Sequence, residues 1–316
     1  MHRKSLVGKS QGLLGPALML GLAALILVSV AGCGTTGGSG GTGKITLTDD
    51  AGNTLVLDKP ADRIVSLAPG NTEIVYAVGA QDKLVGVTTY CDYPPAAKKK
   101  AKIGDFSTPN VEKIASVDPQ VVLVTGGIQK GMVESLNKLG IKVFMIDPKS
   151  FEALFKDMEA VGEMAGIKDV AARKVDALRK QVSDIEAKAK TLPKTNVFFE
   201  IYKQPLMTAG TGTMIDLMIK AAGGTNLGAT AGPQFPEFSE EQLVTDNPDV
   251  YVAVKGSQMD PADISNRPGY SALKAVKDGR VYVVEDNPFV RSGPRMVQGL
   301  AQLARILHPE TFKKTD

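Results

Sequence analysis

The stretch Glu112-Lys113-Ile114-Ala115-Ser116-Val117-Asp118-Pro119-Gln120-Val121-Val122-Leu123-Val124 returns in kind as Glu241-Gln242-Leu243-Val244-Thr245-Asp246-Asn247-Pro248-Asp249-Val250-Tyr251-Val252-Ala253-Val254. Each copy runs acid, amide or lysine, aliphatic, any residue, Ser or Thr, two more residues, proline, then an apolar run. The first five residues read as a short helix. Proline cannot continue a helix, and it disfavours the α conformation in the residue before it. The run that follows is apolar on both faces, as a strand inside a parallel sheet must be. Two copies so far apart cannot belong to a solenoid, so they indicate a duplicated α/β lobe. Glu112 and Glu241 are then expected at matching places on the two lobes.

Working outward, the 316 residues suffice for two domains with cores of their own. A hydrophobic content of 43% and a charged content of 22% are those of a globular protein. Arg3, Lys4 and Lys9 supply the whole formal charge of +3, and residues 1–32 hold no acid. The rest of the chain is therefore neutral. Lys98-Lys99-Lys100, its one basic cluster, reads as a solvated turn, so nucleic acid is excluded as a partner.

The amino terminus is an address. Met1 to Ser10 is basic, Leu13 to Val30 is apolar, and Val30-Ala31-Gly32-Cys33 follows directly. Cys33 after Ala-Gly resembles a bacterial lipobox, which implies cleavage before Cys33 and lipid on its thiol. Diacylglycerol with an N-acyl chain gives stable attachment where one chain would not. The Gly, Thr and Ser run that follows Cys33, to Gly43, has the composition of a flexible tether. Cys91 is left without a partner and reads as a partly buried small residue.

Residues 44–62 read as a hairpin turning at Asp50–Asn53. Residues 63–150 read as a first α/β lobe. Within it Asn71 is expected to cap a helix with Glu73 in its first turn, and a later helix is expected from about Gln129 to Leu139. In 151–192, Val175, Leu178, Val182, Ile185 and Ala189 recur at helical spacing. They predict a helix over Asp169 to Lys190, about 33 Å long at ~1.5 Å per residue. It is either a strut between lobes or half of a helix pair on one lobe. Residues 193–316 form the second lobe. There Thr213 is an expected N-cap, and Ser239 with Gln242 is an expected capping box.

Histidine is nearly absent: beyond His2 there is only His308. A Ser-His-Asp triad or a histidine-rich zinc site has no residues to build it. No catalytic or metal site is therefore expected. Loops ending in Tyr90, Phe106, Tyr202, Phe235 and Phe289, with Arg291 nearby, suggest instead an apolar and aromatic ligand cleft.

The phrases Arg63-Ile-Val-Ser-Leu-Ala-Pro-Gly-Asn-Thr-Glu73, Tyr90-Cys-Asp-Tyr-Pro-Pro95, Asn110-Val-Glu-Lys-Ile114 and Asp118-Pro-Gln-Val-Val122 occur in order. From about Arg63 to its end, the chain resembles the iron-siderophore and vitamin B12 family of ABC-importer substrate-binding lipoproteins. The resemblance implies an α/β fold of two Rossmann-like lobes joined by a single long helix, like that of class III periplasmic binding proteins. It implies a lipid-anchored, extracytoplasmic monomer that captures a metal chelate and delivers it to an ABC permease dimer with its cytoplasmic ATPase. It carries permease docking onto Glu112 and Glu241. It carries ligand binding onto Tyr90, Phe106, Phe235, Phe289 and Arg291, to which the loop residue Tyr202 is added. The Tyr-Cys-Asp-Tyr-Pro-Pro segment looks most like the B12-binding members, which favours a corrinoid. Where those place tryptophan, this chain has Phe106, Thr125 and Phe235, so haem and ferric siderophores remain alternatives. A surface enzyme that processes a cofactor is the alternative of another class.

Overall fold

A computed structural model describes residues 43–257 and 260–313. The signal-like segment 1–32, Cys33 and the tether as far as Thr42 lie outside the described residues.

Strands β1 (Ile45–Thr48) and β2 (Thr54–Leu57) form the antiparallel hairpin. Asp49 closes its turn, one oxygen accepting from the amides of Ala51 and Asn53. Its other oxygen accepts from Met145 N at 3.1 Å, which fastens the hairpin to the first lobe.

That lobe runs β3 (Ile64–Ser66), α1 (Pro69–Val78), β4 (Leu84–Val87), β5 (Ala101–Lys102), α2 (Val111–Ser116), β6 (Val121–Val124), α3 (Met132–Lys138) and β7 (Lys142–Met145). Its strands form one parallel sheet in the order β5-β4-β3-β6-β7. Helices α4 (Phe151–Met164) and α5 (Lys168–Ala189) follow. The second lobe contains β8 (Thr195–Tyr202), β9 (Met207–Thr208), α6 (Met214–Ala221), β10 (Gly224–Asn226), α7 (Glu240–Asp246) and β11 (Val250–Val254). It closes with α8 (Pro261–Ser265), α9 (Lys274–Lys277), β12 (Val281–Val284), α10 (Asn287–Val290) and α11 (Met296–Leu307). Its sheet order is β10-β8-β11-β12, parallel, with β9 antiparallel on β8.

The repeated stretch is the same structure twice. Helix α2 feeds β6, which lies between β3 and β7; helix α7 feeds β11, which lies between β8 and β12. The residues before the two prolines, Asp118 and Asn247, both adopt left-handed backbone with φ of 43° and 46°. Proline's restriction on its predecessor is thus met by a left-handed turn, not by extension. Asp and Asn are the non-glycine residues that tolerate this region best. The residue after each proline then grips the neighbouring strand. Gln120 Oε1 accepts from Arg63 N at 3.1 Å and Gln120 N donates to Arg63 O at 2.8 Å. Asp249 Oδ2 accepts from Asn196 N at 2.9 Å and Asp249 N donates to Asn196 O at 3.0 Å.

Helix α5 buries Val175, Val182 and Ala189. It packs on α1 and α4 towards one lobe and on α6 and α11 of the other, so it spans both.

Four local expectations change. Helix α1 begins at Pro69, because proline pre-sets the first helical position. Asn71 is consequently inside the helix, its amide donating to Val124 O at 3.0 Å, and Glu73 is buried in the helix interior. Helix α3 is shorter than expected because a separate 3-10 turn occupies Gly127–Gln129. The capping box is half formed: Ser239 accepts from Gln242 N, but the Gln242 amide turns down the helix to Asp246 at 2.6 Å. Cys91 is fully buried, its sulfur 3.2 Å from the Thr88 hydroxyl. Thr213 does cap α6, accepting from Asp216 N.

Candidate ligand cleft between the lobes

The turns after β3, β4, β5 and β6 all leave the carboxyl edge of one parallel sheet, the edge where open α/β folds bind ligands. They bring Gly70, Tyr90, Phe106 and Thr125 to one wall of a cavity of about 460 Å³. Val290 at the end of α10, with Arg291 and Ser292 just past it, forms the facing wall from the second lobe. Tyr90 is 57% exposed, so its ring is available rather than packed away. Phe106 is half-buried, its carbonyl held by the Gln129 amide at 2.8 Å.

The lobes meet closely beneath this cavity. A Cβ on Gly70 would lie 2.4 Å from Ser292 O, so only glycine permits the approach. Beside it stand four charges, two from each lobe. Glu73, 2% exposed, accepts from Arg295 Nε at 2.8 Å and Nη2 at 2.6 Å. Arg291 Nη1 lies 2.5 Å from Asp92 Oδ1 and 3.8 Å from Glu73 Oε1. The Arg295 guanidinium also covers the Tyr93 ring, 4.0 Å from its centre. Burial pushes the Glu73 carboxyl above its ordinary value against the opposing pull of Arg295 and Arg291. The hydrogen bond from Arg291 holds Asp92 below its ordinary value.

Of the residues named from sequence, Tyr90, Phe106 and Arg291 line this one cavity. Phe235, 42% exposed, lines an adjoining pocket of about 200 Å³ that shares Val290 and Ser292. Phe289 touches that pocket but is only 1% exposed, because its ring is packed 5.5 Å from that of Phe199. Tyr202, half exposed at the end of β8, lines neither. Glu112 and Glu241 are both exposed, each in the first turn of its helix.

Arg291 was named from sequence, but the pairing of the four interlobe charges was not. A signal was present: Glu73 stands in the helix Pro69-Gly-Asn-Thr-Glu-Ile-Val-Tyr-Ala-Val78, which is apolar on more than one face. An acid there must find a cation when the helix is buried. Among the described residues no cluster of three or more His, Cys, Asp or Glu is placed to hold a metal ion.

Two parallel-sheet lobes, a long helix packed on both and a cavity between them define a class III binding-protein fold. Comparison with known proteins agrees. The chain matches the Periplasmic binding protein family over residues 64–288. It is 35% identical over 278 residues to YvrC, an uncharacterised ABC transporter substrate-binding lipoprotein of Bacillus subtilis, covering 85% of this chain and 87% of that one. The periplasmic vitamin B12 binding protein BtuF of Vibrio cholerae is similar with a TM-score of 0.71 at 26% identity, covering 81% of this chain and 99% of that one. The periplasmic heme-binding protein RhuT of Roseiflexus sp. RS-1 is similar with a TM-score of 0.69 at 27% identity, covering 79% and 98%. The chain belongs to the periplasmic binding protein family, a family of binding proteins and not of enzymes. It is an extracytoplasmic substrate-binding protein of an ABC transporter, from the group whose members take vitamin B12, siderophores or haem.

Proposed function

We propose that this protein captures a metal chelate, a corrinoid in first place, in the cavity between its lobes and hands it to an ABC permease. The observation that carries the reading is the pairing of exposed Tyr90 and Phe106 on one lobe with Val290 and Arg291 on the other around a single cavity. A flat macrocycle with amide side arms suits such walls: rings and an aliphatic side chain for its faces, Ser107, Ser292 and Asn71 for its polar rim. Phe235 extends the apolar surface through the adjoining pocket. Phe289 supports that wall from within the core, and Tyr202 acts at the rim only if the lobes move.

In the same reading Glu112 and Glu241 are the permease contacts. They are exposed, they head equivalent helices, and each helix feeds the equivalent strand of its sheet. Residues 1–32 are the export signal, Cys33 carries the lipid, and 33–43 tether the body to the membrane.

The test is a calorimetric titration of the purified protein with cyanocobalamin, dicyanocobinamide, haemin and a ferric siderophore. The reading expects one-to-one binding of a corrinoid, recovered unchanged after dissociation. Binding of haemin or the siderophore alone would replace the corrinoid while keeping the chelate class. Chemical conversion of any of them would end the binding-protein reading.

A further inference from the structure

Among the described residues, Arg291 is the one cationic side chain in the lining of the larger cavity, and no acid belongs to that lining. Alone, it would make the cavity an anion site, since a half-buried guanidinium binds carboxylates and phenolates strongly. It is not alone. Asp92 holds its Nη1 at 2.5 Å, and Glu73 stands 3.8 Å from the same nitrogen. Glu73 is committed to Arg295, through two hydrogen bonds at 2.8 and 2.6 Å, and its side chain is 1% exposed. Asp92 is different: 45% of its side chain faces solvent, and it stands outside the cavity lining. The four charges therefore close on themselves at net zero. Asp92 is the member that neutralises the cavity's own cation.

We propose that Asp92 sets the charge selectivity of the cleft. By occupying Arg291 it leaves the cavity suited to chelates that bring no negative charge to that wall. It disfavours polyanionic ones, such as haem with its two propionates or a ferric tris-catecholate. An incoming carboxylate must either displace Asp92 or bind beside it, and either route loses what a free guanidinium would supply. This rests on the chelate reading above and names the charge class within it.

The experiment compares affinities for haemin and cyanocobalamin in the wild type and in Asp92→Asn, Asp92→Glu and the double variant Asp92→Asn/Arg291→Gln. Asp92→Asn should raise the affinity ratio of haemin to cyanocobalamin by roughly 10- to 100-fold, the range for one charge-assisted hydrogen bond. That gain should weaken as salt rises. Asp92→Glu keeps a counter-ion and should keep the wild-type ratio. The double variant should lose the gain, because the cation that would receive the propionate is gone. An unchanged ratio in Asp92→Asn, or a gain that persists in the double variant, overturns the inference. So does a wild type that prefers haemin, although chelate binding itself would then stand. A wild type that binds none of the four chelates removes the chelate reading and this inference with it.

Discussion

Replacing Glu73 by leucine isolates the charge pair that ties the two lobes together. The carboxylate is buried and receives two guanidinium hydrogen bonds from Arg295, with Arg291 3.8 Å away. Its removal leaves Arg295, 13% exposed, without its anion in a desolvated place. Breaking one side of such a pair costs about 3–5 kcal/mol, most of it the uncompensated charge rather than the lost bond. Replacing both partners, Glu73→Leu with Arg295→Met, leaves no orphan charge and should come within about 1–2 kcal/mol of wild type. The loss of the Arg295 stack on Tyr93 accounts for part of that residue. Arg291 keeps Asp92 in every variant, so it does not confound the comparison. The assay is urea unfolding followed by far-ultraviolet circular dichroism, because the chain has no tryptophan. A double-mutant cycle should then give a coupling of about 2–4 kcal/mol. If Glu73→Leu lies within 1 kcal/mol of wild type, or if the two substitutions simply add, the pair does not couple the lobes as argued.

Three further outcomes are expected. Asp157 in α4 is buried with Asp50 and Asp147 nearby, and burial first, then Asp50, push its carboxyl up from 3.8 to about 8. The folded state thus keeps a proton that the unfolded chain releases near pH 4. Stability should fall by a few kcal/mol at most between about pH 4 and 8, then level off, and Asp157→Asn should flatten that slope in unfolding curves across the range. Asp118→Val and Asn247→Val force a β-branched residue into left-handed backbone, so each should cost about 1–3 kcal/mol by urea unfolding. Glu112→Ala/Glu241→Ala should leave ligand affinity unchanged and lose at most ~1–2 kcal/mol of helix-dipole stabilisation, yet abolish uptake in cells carrying the cognate permease. Full uptake by that double variant would end the docking assignment.

Much of the fold was legible because its signals are local. The acid–proline–strand phrase contains a helix start, a helix stop and a strand, and β6 and β11 follow from it residue by residue. The stripe Val175 to Ala189 gave α5 to within a residue at each end. What was illegible depends on partners far along the chain. Glu73 and Arg295 are 222 residues apart, and no periodicity in either helix reveals their pairing. Phe289 sits beside a proline, as loop residues do, yet a one-turn helix rotates its ring onto Phe199. Asn71 looked like a cap because Asn caps helices, but Pro69 had already opened α1. In the cleft, Tyr90 and Phe106 could be named as loop aromatics facing a ligand. The counter-ion of Arg291 could not be named, since Asp92 comes from the other lobe.

The claim on which the account turns is that the gap between the lobes holds the ligand. Amide hydrogen exchange with and without saturating cyanocobalamin addresses it directly. The account predicts added protection in two separate places, at residues 68–71, 90–92 and 104–107 on the first lobe and at 289–293 on the second. Protection on one lobe alone, or confined to the groove beside the hairpin at Asn53, Lys142 and Met145, would contradict it.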